Sequence, residues 1–300
     1  MTSSATRAAA KPKTDAAGLI AFQGAPGAYG DLACREAFPA MQSLPCPSFE
    51  DAFAAVREGK AALGMIAVEN SIAGRVADIH HLLPGSGLHI IGEHFQRVNH
   101  HLLAVPGASL KTIRTVHSHV HALSQCRNII RELKLKPIVH PDTAGAAADV
   151  AKRGDPSEAA IASSLAGEIY GLASLKADIE DADHNTTRFL VMAQEPVDPD
   201  PRSGPIITSF LFRVRSVPAA LYKALGGFAT NGVNITKLES YIVDGAFTVA
   251  QFYADIEGHP DQRPVRLALE ELSFFSREVR ILGVYPAHPF RQAGAALQAE

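Results

Sequence analysis

The chain has 300 residues and a mass of 31.9 kDa, is 47% hydrophobic and 20% charged, and carries a formal charge of -3. That is ordinary globular composition, with length enough for two or more domains. No Lys/Arg-rich stripe marks a nucleic-acid partner, and no apolar run approaches the roughly 20 residues of a membrane-spanning helix.

The opening "MTSSATRAAAKPKTDAAG" lacks the apolar stretch of a secretory signal. It reads as a disordered tail over residues 1–17, although its Ser, Ala and basic content faintly resembles a transit peptide. Cys34, Cys46 and Cys126 are scattered, without metal-like spacing, and read as reduced thiols in a cytoplasmic protein.

"GLIAF" (18–22) and "AALGMIAV" (61–68) read as buried strands. Between them Ser48 and Asp51 form a capping pattern for a helix with Phe49, Ala52, Phe53 and Val56 at helical spacing, closed by Gly59. "HIIG" (89–92), "LLAV" (102–105) and "RTVH" (114–117) are further strands, the last leading into a helix with Leu123, Cys126, Ile130 and Leu133 on one stripe. "PIVH" (137–140) is followed by a helix that Thr143 could cap, and "AAIAS" (159–163) by one ending near Gly171. Strands alternating with helices imply a mostly parallel α/β architecture.

Residues 196–205, with Pro196, Pro199, Pro201 and Pro205, read as an extended linker. Beyond it the order is strand, helix, strand, strand, helix, strand, which is the split βαβ, ferredoxin-like plan. "IITSFLFRV" puts Phe210, Phe212 and Val214 on one face, and "PAALYKALGGFATNG" is a helix opened by Pro218 and closed at Asn231-Gly232. Asp244-Gly245 marks a hairpin, and Ala250, Phe252, Ala254 and Ile256 share a face of its second strand. Alternation in 235–243 turns Leu238, Ser240 and Ile242 toward the helices, leaving Lys237, Glu239 and Tyr241 on a face open to a partner.

In parallel sheets ligands collect beyond the strands' carboxyl ends, near helix N-termini. "AFQGAPGAYG" leaves a strand there through Gly24, Pro26 and Gly27, without the spacing of a nucleotide loop. "AVENSIAG" brings Glu69, Asn70 and Ser71, and taken alone Ser71 reads first as an ordinary helix cap. "VHSHVHAL" brings Ser118, His119 and His121; the His-Val-His pair has no carboxylate or thiol nearby to complete a metal site.

These stretches, with "SHVHALSQC", "YGL" and "DHNTTRF" in this order, resemble the prephenate dehydratase family, and residues 206–290 resemble the ACT regulatory domain that follows it there. The resemblance covers nearly all of residues 18–290. It implies a catalytic domain over 18–195 with two lobes built like a type 2 periplasmic binding protein: 18–95 plus 189–195, and 96–188. The ACT domain over 206–290 and a tail over 291–300 complete the chain. The implied reaction is decarboxylative dehydration of prephenate to phenylpyruvate in L-phenylalanine biosynthesis, with neither redox cofactor nor metal. Arogenate dehydratases look similar, and a cytoplasmic amino-acid sensor that closes on a ligand without turnover is the non-enzymatic alternative.

Carried over from the family, Thr187 is the catalytic residue, donating a hydrogen bond to the leaving hydroxyl. The matching substrate contacts are Gly27, Ala28, Tyr29, Glu69, Asn70, Ser71, Ser118, His119, Asn185, Arg188 and Phe189. Thr187 and Phe189 share a face of an extended segment and Arg188 points away, so Arg188 either binds a carboxylate of the substrate or pairs with Glu69 or Asp181 to brace the loop. Phe189 reads as packing or a pocket wall. The implied allosteric site for L-phenylalanine takes Ala220, Leu221, Asn231, Gly232, Val233, Asn234, Glu239 and Ser240, at an interface of a homodimer or homotetramer formed through ACT domains. The chain departs from the family pattern at Gly30 (a serine), Ala67 (a proline), Val120-His121 (Pro-Gln) and Tyr241-Ile242 (Arg-Pro).

Overall fold

A computed structural model describes residues 18–76, 79–215, 217–243 and 246–292. The two tails, most of 291–300 and all of 1–17, and the Asp244-Gly245 turn lie outside the described residues. Up to residue 97 the elements are β1 Leu19–Gln23, α1 Tyr29–Ala37, β2 Gln42–Cys46, α2 Phe49–Arg57, β3 Leu63–Asn70, β4 Gly74–Arg75, α3 Ile79–Gly85 and β5 His89–Arg97. There follow β6 His101–Ala104, β7 Thr115–Ser118, α4 Val120–Gln125, α5 Arg127–Glu132, β8 Lys136–Val139, α6 Thr143–Arg153, β9 Glu158–Ala162, α7 Ser164–Tyr170 and β10 Ala173–Lys176. The chain ends with β11 Thr186–Ala193, β12 Ile206–Val214, α8 Ala220–Thr230, β13 Ile235–Val243, β14 Ala246–Glu257, α9 Arg263–Phe275 and β15 Ser276–Pro286.

Three sheets form among the described residues. The first runs β2-β1-β3-β11-β5, with β4 attached to β3; its first three strands are parallel and β11 is antiparallel to both neighbours. The second runs β10-β6-β9-β7-β8, parallel across β9-β7-β8 and antiparallel on both sides of β6. The third is antiparallel, β13-β14-β12-β15, the ferredoxin-like order read from the sequence. The chain crosses from first sheet to second at 98–100 and back at 177–185, a few residues from the expected boundaries at 95 and 188. Pairing of Thr186 with Arg97 extends both strands toward the crossing.

Local chemistry explains several helix ends. Ser48 accepts from the Asp51 amide and caps α2, and Gly59 follows in the left-handed region at φ 70. Asp142, not Thr143, caps α6, because its carboxylate reaches the Gly145 amide. The expected helix through Leu123 and Ile130 breaks at Cys126, where Asp181 takes the Arg127 and Asn128 amides and starts α5 afresh. α8 begins at Ala220, after Ala219 turns through φ 60.

One face of the third sheet packs Phe210, Phe212, Phe252, Ala254 and Ile256 on α8 and α9, as expected. The other face is not open to a partner. Ile207, Leu211, Tyr253, Leu282 and Tyr285 join one apolar cluster with Ile66, Val68, Ile90, Leu190 and Met192 of the first sheet. Lys237 and Tyr241 are turned the same way, Lys237 onto Glu69 and Tyr241 against the cluster. Leu238 and Ile242 are instead 40% and 45% exposed, because they lie beyond the helices on the edge strand β13.

Gly283 makes this contact possible: a Cβ there would overlap the Ile90 carbonyl oxygen. Gly283→Ala is therefore expected to push β15 off β5 and destabilise the protein by about 1–3 kcal/mol, as overpacking does. Urea unfolding of the variant beside wild type checks this; an unchanged midpoint would show that the sheets do not press together at Gly283.

Candidate functional site

The two crossings meet where Val98 N donates to Asn185 O. On β11, Thr187 lies opposite Asn70 of β3 and Gln96 of β5. The Asn70 side chain is fixed by its turn: its Oδ1 accepts the Ile72 and Ala73 amides at 3.0 and 2.8 Å. Its Nδ2 must then donate, and it does so to Asn185 Oδ1 at 2.8 Å and Thr187 Oγ1 at 3.0 Å. Because Thr187 Oγ1 is an acceptor in that bond, its own proton is left to donate. Ser71 locks the same segment, donating to His184 O and accepting from the Thr186 amide.

From Asn185 the bonding passes into the second sheet's half. Asn185 Nδ2 donates to Gln125 Oε1 at 3.0 Å, and the same oxygen faces His100 Nε2 at 3.0 Å. The Tyr29 hydroxyl lies 2.9 Å from His100 Nδ1 and 2.8 Å from Asn99 O, and its single proton serves one of these acceptors at a time. An acceptor at Gln125 Oε1 assigns the proton to Nε2. Asn185 and His100 are 1% and 2% exposed. Burial draws the His100 pKa below its ordinary 6.5, more than its bond to Gln125 raises it. The ring is therefore neutral at pH 7.

The glycine-rich loop closes one side. Gly27, at φ 85, donates to Asp31 Oδ2, and its carbonyl accepts from Ser163 Oγ at the start of α7. A Cβ on Gly27 would stand 2.7 Å from the Ala166 Cα, so only glycine permits this approach. Burial would raise the Asp31 pKa, but Arg35, Ser43 and the Gly27 amide hold it below the usual value. Gly30, where the family has serine, lies against Phe22, whose ring a Cβ would meet at 2.9 Å. An open cavity of about 530 Å³ adjoins Gln125, lined also by Ile72, Ala73, His121, Arg127 and Arg131.

Of the expected substrate contacts, Tyr29, Asn70, Ser71, Asn185 and Thr187 gather around the crossings, while Gly27 and Ala28 pack against Ala166 of α7. Ser118 is spent on Ile161 O, and His119 caps α4 by accepting from the His121 amide. Glu69, Arg188 and Phe189 do not face this cluster. Phe189 is 3% exposed and packs with Ile20, Phe22 and Met65 beneath α1.

Arg188, also 3% exposed, points to the opposite face of the sheet. It donates to Glu93 Oε2 at 2.8 Å, Glu69 Oε1 at 3.0 Å, Asp255 Oδ2 at 2.7 Å and the Tyr285 hydroxyl at 3.1 Å. Of the two alternatives left open, the brace with Glu69 is the one that forms; Asp181 instead serves α5. Burial alone would lower the Arg188 pKa, but the surrounding acids, Asp255 first, hold it well above the ordinary value. Asp255 is held low by Arg188 against its own burial.

Sequence reasoning did not single out His100 or Gln125. Gln125 stands in the quoted "SHVHALSQC", and nothing local marks His100 in "VNHHLL". Among the described residues no group of three or more His, Cys, Asp and Glu side chains converges as a metal site would. No described helix is long and apolar enough to cross a membrane.

In the third sheet's unit, Ala220 and Leu221 border a cavity of about 500 Å³ at the start of α8. Asn231–Asn234 lie at its far end, eleven residues away, about 16 Å at the helical rise. There Asn231 Nδ2 donates to Gly227 O and Asn234 Nδ2 to Glu257 Oε2. Glu239 accepts from Lys237 at 2.7 Å. One chain therefore does not bring all the expected allosteric residues together.

The arrangement defines an α/β protein with an uncharged amide–hydroxyl cluster at a double chain crossing, joined to a ferredoxin-like unit. The prephenate dehydratase family model matches residues 20–197, and the chain belongs to that family. A bifunctional N-acyl-homoserine lactone acylase/prephenate dehydratase from Komagataeibacter europaeus is 55% identical over 274 residues, 91% of this chain and 98% of that one. Arogenate dehydratase/prephenate dehydratase 1 of Arabidopsis thaliana, a chloroplastic protein, is 39% identical, covering 89% and 71%. The solved structure of a prephenate dehydratase from Arthrobacter aurescens in complex with L-Phe superposes with a TM-score of 0.81 at 29% identity, covering 94% and 98%.

The depressed His100 pKa has a stability consequence. Its neutral ring contributes fully above the unfolded value near 6.5, and that contribution is lost as pH falls from there through the folded value. The stability difference between wild type and His100→Gln, read from urea unfolding, is expected to shrink from pH 7.5 to pH 5. Parallel pH curves for the two proteins would show that His100 is not held neutral by the fold.

Proposed function

We propose that this chain is a prephenate dehydratase that converts prephenate to phenylpyruvate, carbon dioxide and water, in the cytoplasm, as a step of L-phenylalanine biosynthesis. The observation that carries the proposal is the Thr187 hydroxyl, which accepts from Asn70 Nδ2 and keeps its proton free. In this reading the first two sheets are the lobes of a binding-protein-like catalytic domain, and Tyr29, Asn70, Ser71, Asn185 and Thr187 form its cleft. Loss of carboxylate as carbon dioxide sends an electron pair into the ring, and the ring expels its hydroxyl at the far carbon. Hydroxide is a poor leaving group, and a donated hydrogen bond from Thr187 stabilises the charge growing on that oxygen. Aromatisation supplies the driving force, so hydroxyls and amides suffice.

The third sheet and its helices are read as an ACT domain that binds L-phenylalanine, with support from the Arthrobacter aurescens complex. Ala220 and Leu221 lie apart from Asn231, Gly232, Val233 and Asn234, which fits a site completed between two copies. The edge strand β13, with Leu238 and Ile242 exposed, offers the surface for a homodimer or homotetramer.

Thr187→Ala is expected to lower kcat by about a hundredfold to a thousandfold with little change in KM, as for an oxyanion donor, and Thr187→Ser to keep part of the rate. Steady-state kinetics with prephenate measures both. Unchanged kcat with only KM raised would reduce Thr187 to a binding residue. Arogenate, the amino analogue, is assayed alongside; faster turnover of arogenate would replace prephenate as the preferred substrate. The name of the Komagataeibacter europaeus relative carries a second reading, hydrolysis of N-acyl-homoserine lactones. Release of homoserine lactone by the same preparation tests it, and none released would set it aside.

A further inference from the structure

The ion cluster around Arg188 belongs to two chain segments that also build the candidate site. Arg188 follows Thr187, and Glu69 precedes Asn70. Successive side chains of a strand point to opposite faces. Thus where Thr187 and Asn70 meet on one face, Arg188 and Glu69 meet on the other, 3.0 Å apart. The third sheet grips this second contact at two points. Asp255, fully buried on β14 and fixed by Ser209, takes Arg188 Nη1 at 2.7 Å. Lys237 on β13 lies between Glu69 and Glu239, bonded to both.

Stability alone does not call for charges here. The sheets already share a broad apolar cluster, and well-packed apolar side chains do at least as well as a buried ion network. What the ions add is direction. A guanidinium with fixed donors holds its acceptors in one plane and one register. A displacement of the third sheet must therefore move Arg188 or leave buried charges unpaired.

We infer that Arg188 is a positioning residue for the Thr187 hydroxyl, anchored from the third sheet by Asp255 and Tyr285, and that Lys237 transmits the state of Glu239 to the Asn70–Thr187 bond through Glu69. The inference rests on the proposed role of Thr187 as donor to the leaving hydroxyl. It assigns the C-terminal unit a part in turnover itself, beyond binding an effector. It also gives effector binding near Glu239 a short physical route to the reacting oxygen: Glu239, Lys237, Glu69, then one residue along β3.

The test uses the full-length protein with Asp255→Asn, Tyr285→Phe and Lys237→Gln. Tyr285→Phe keeps the ring and removes only the hydroxyl that meets Arg188 and Ser209, so it serves if Asp255→Asn fails to fold. For Asp255→Asn, kcat for prephenate is expected to fall between about tenfold and about a hundredfold with KM within about threefold, as for a displaced catalytic group; Tyr285→Phe should shift in the same direction and less. Lys237→Gln should raise the L-phenylalanine concentration for half-inhibition at least about fivefold, a usual size of coupling.

Amide hydrogen exchange of residues 185–188, read by mass spectrometry without substrate, should quicken in Asp255→Asn and Tyr285→Phe below the global unfolding rate. That readout judges the positioning whether or not the wild type turns over prephenate, so a failed dehydratase reading is told apart from a failed inference. Exchange and kcat equal to wild type in folded variants would overturn the positioning, and unaltered half-inhibition in Lys237→Gln would overturn the route from Glu239.

Discussion

One buried guanidinium ties this molecule together. Arg188 satisfies acids from three strands, Glu69, Glu93 and Asp255, and lies 3% exposed between two sheets built from distant parts of the chain. Arg291 reinforces Glu93 from the chain that follows β15. Removing one partner from such a cluster strands a buried charge, at a cost of about 3–5 kcal/mol. The consequence reaches past stability. β11 is the strand on which the chain returns from the second sheet, and Thr187 at its start belongs to the candidate site. A C-terminal unit that grips β11 is therefore part of the same folded body, with a common core, rather than a module hung from a proline-rich linker. Even the linker is docked: His259 meets Asp198, and Gln262 donates to Pro201 O.

Much of the architecture was legible from periodicity and caps. Strands β1, β3, β6, β7 and β9 lie within two residues of the apolar runs that marked them, since strands buried on both faces read as continuous hydrophobic stretches. β2 escaped notice because "QSLPC" is short, edge-placed and contains a proline. α1 was hidden by its glycine-rich approach, and the break at Cys126 by a cap that arrives from Asp181, far along the chain. The faces of β13 were assigned by alternation, but alternation cannot say what covers a face. The first sheet covers Lys237 and Tyr241 there, where a partner was expected.

The same distinction governs the site. Motif order brought Asn70, Asn185 and Thr187 forward, and backbone pairing sets Asn70 beside Thr187. Arg188 and Glu69 belong to the same motifs yet serve the opposite face, because each neighbours a site residue in a strand. Their partners lie 67 to 168 residues away in sequence, beyond any local pattern. His100 and Gln125 complete the polar chain only once both sheets are assembled. The assembled cluster itself is uncharged, with amides of fixed orientation, a buried neutral imidazole and a hydroxyl proton, while Arg127 and Arg131 line the adjoining cavity.

The most direct test follows the departing carboxylate. Prephenate labelled with carbon-13 in the ring carboxylate, followed by NMR with purified protein, should lose its label to carbon dioxide and bicarbonate in step with phenylpyruvate, one for one. Label remaining in prephenate at the spontaneous rate, or leaving without matching phenylpyruvate, would contradict the account.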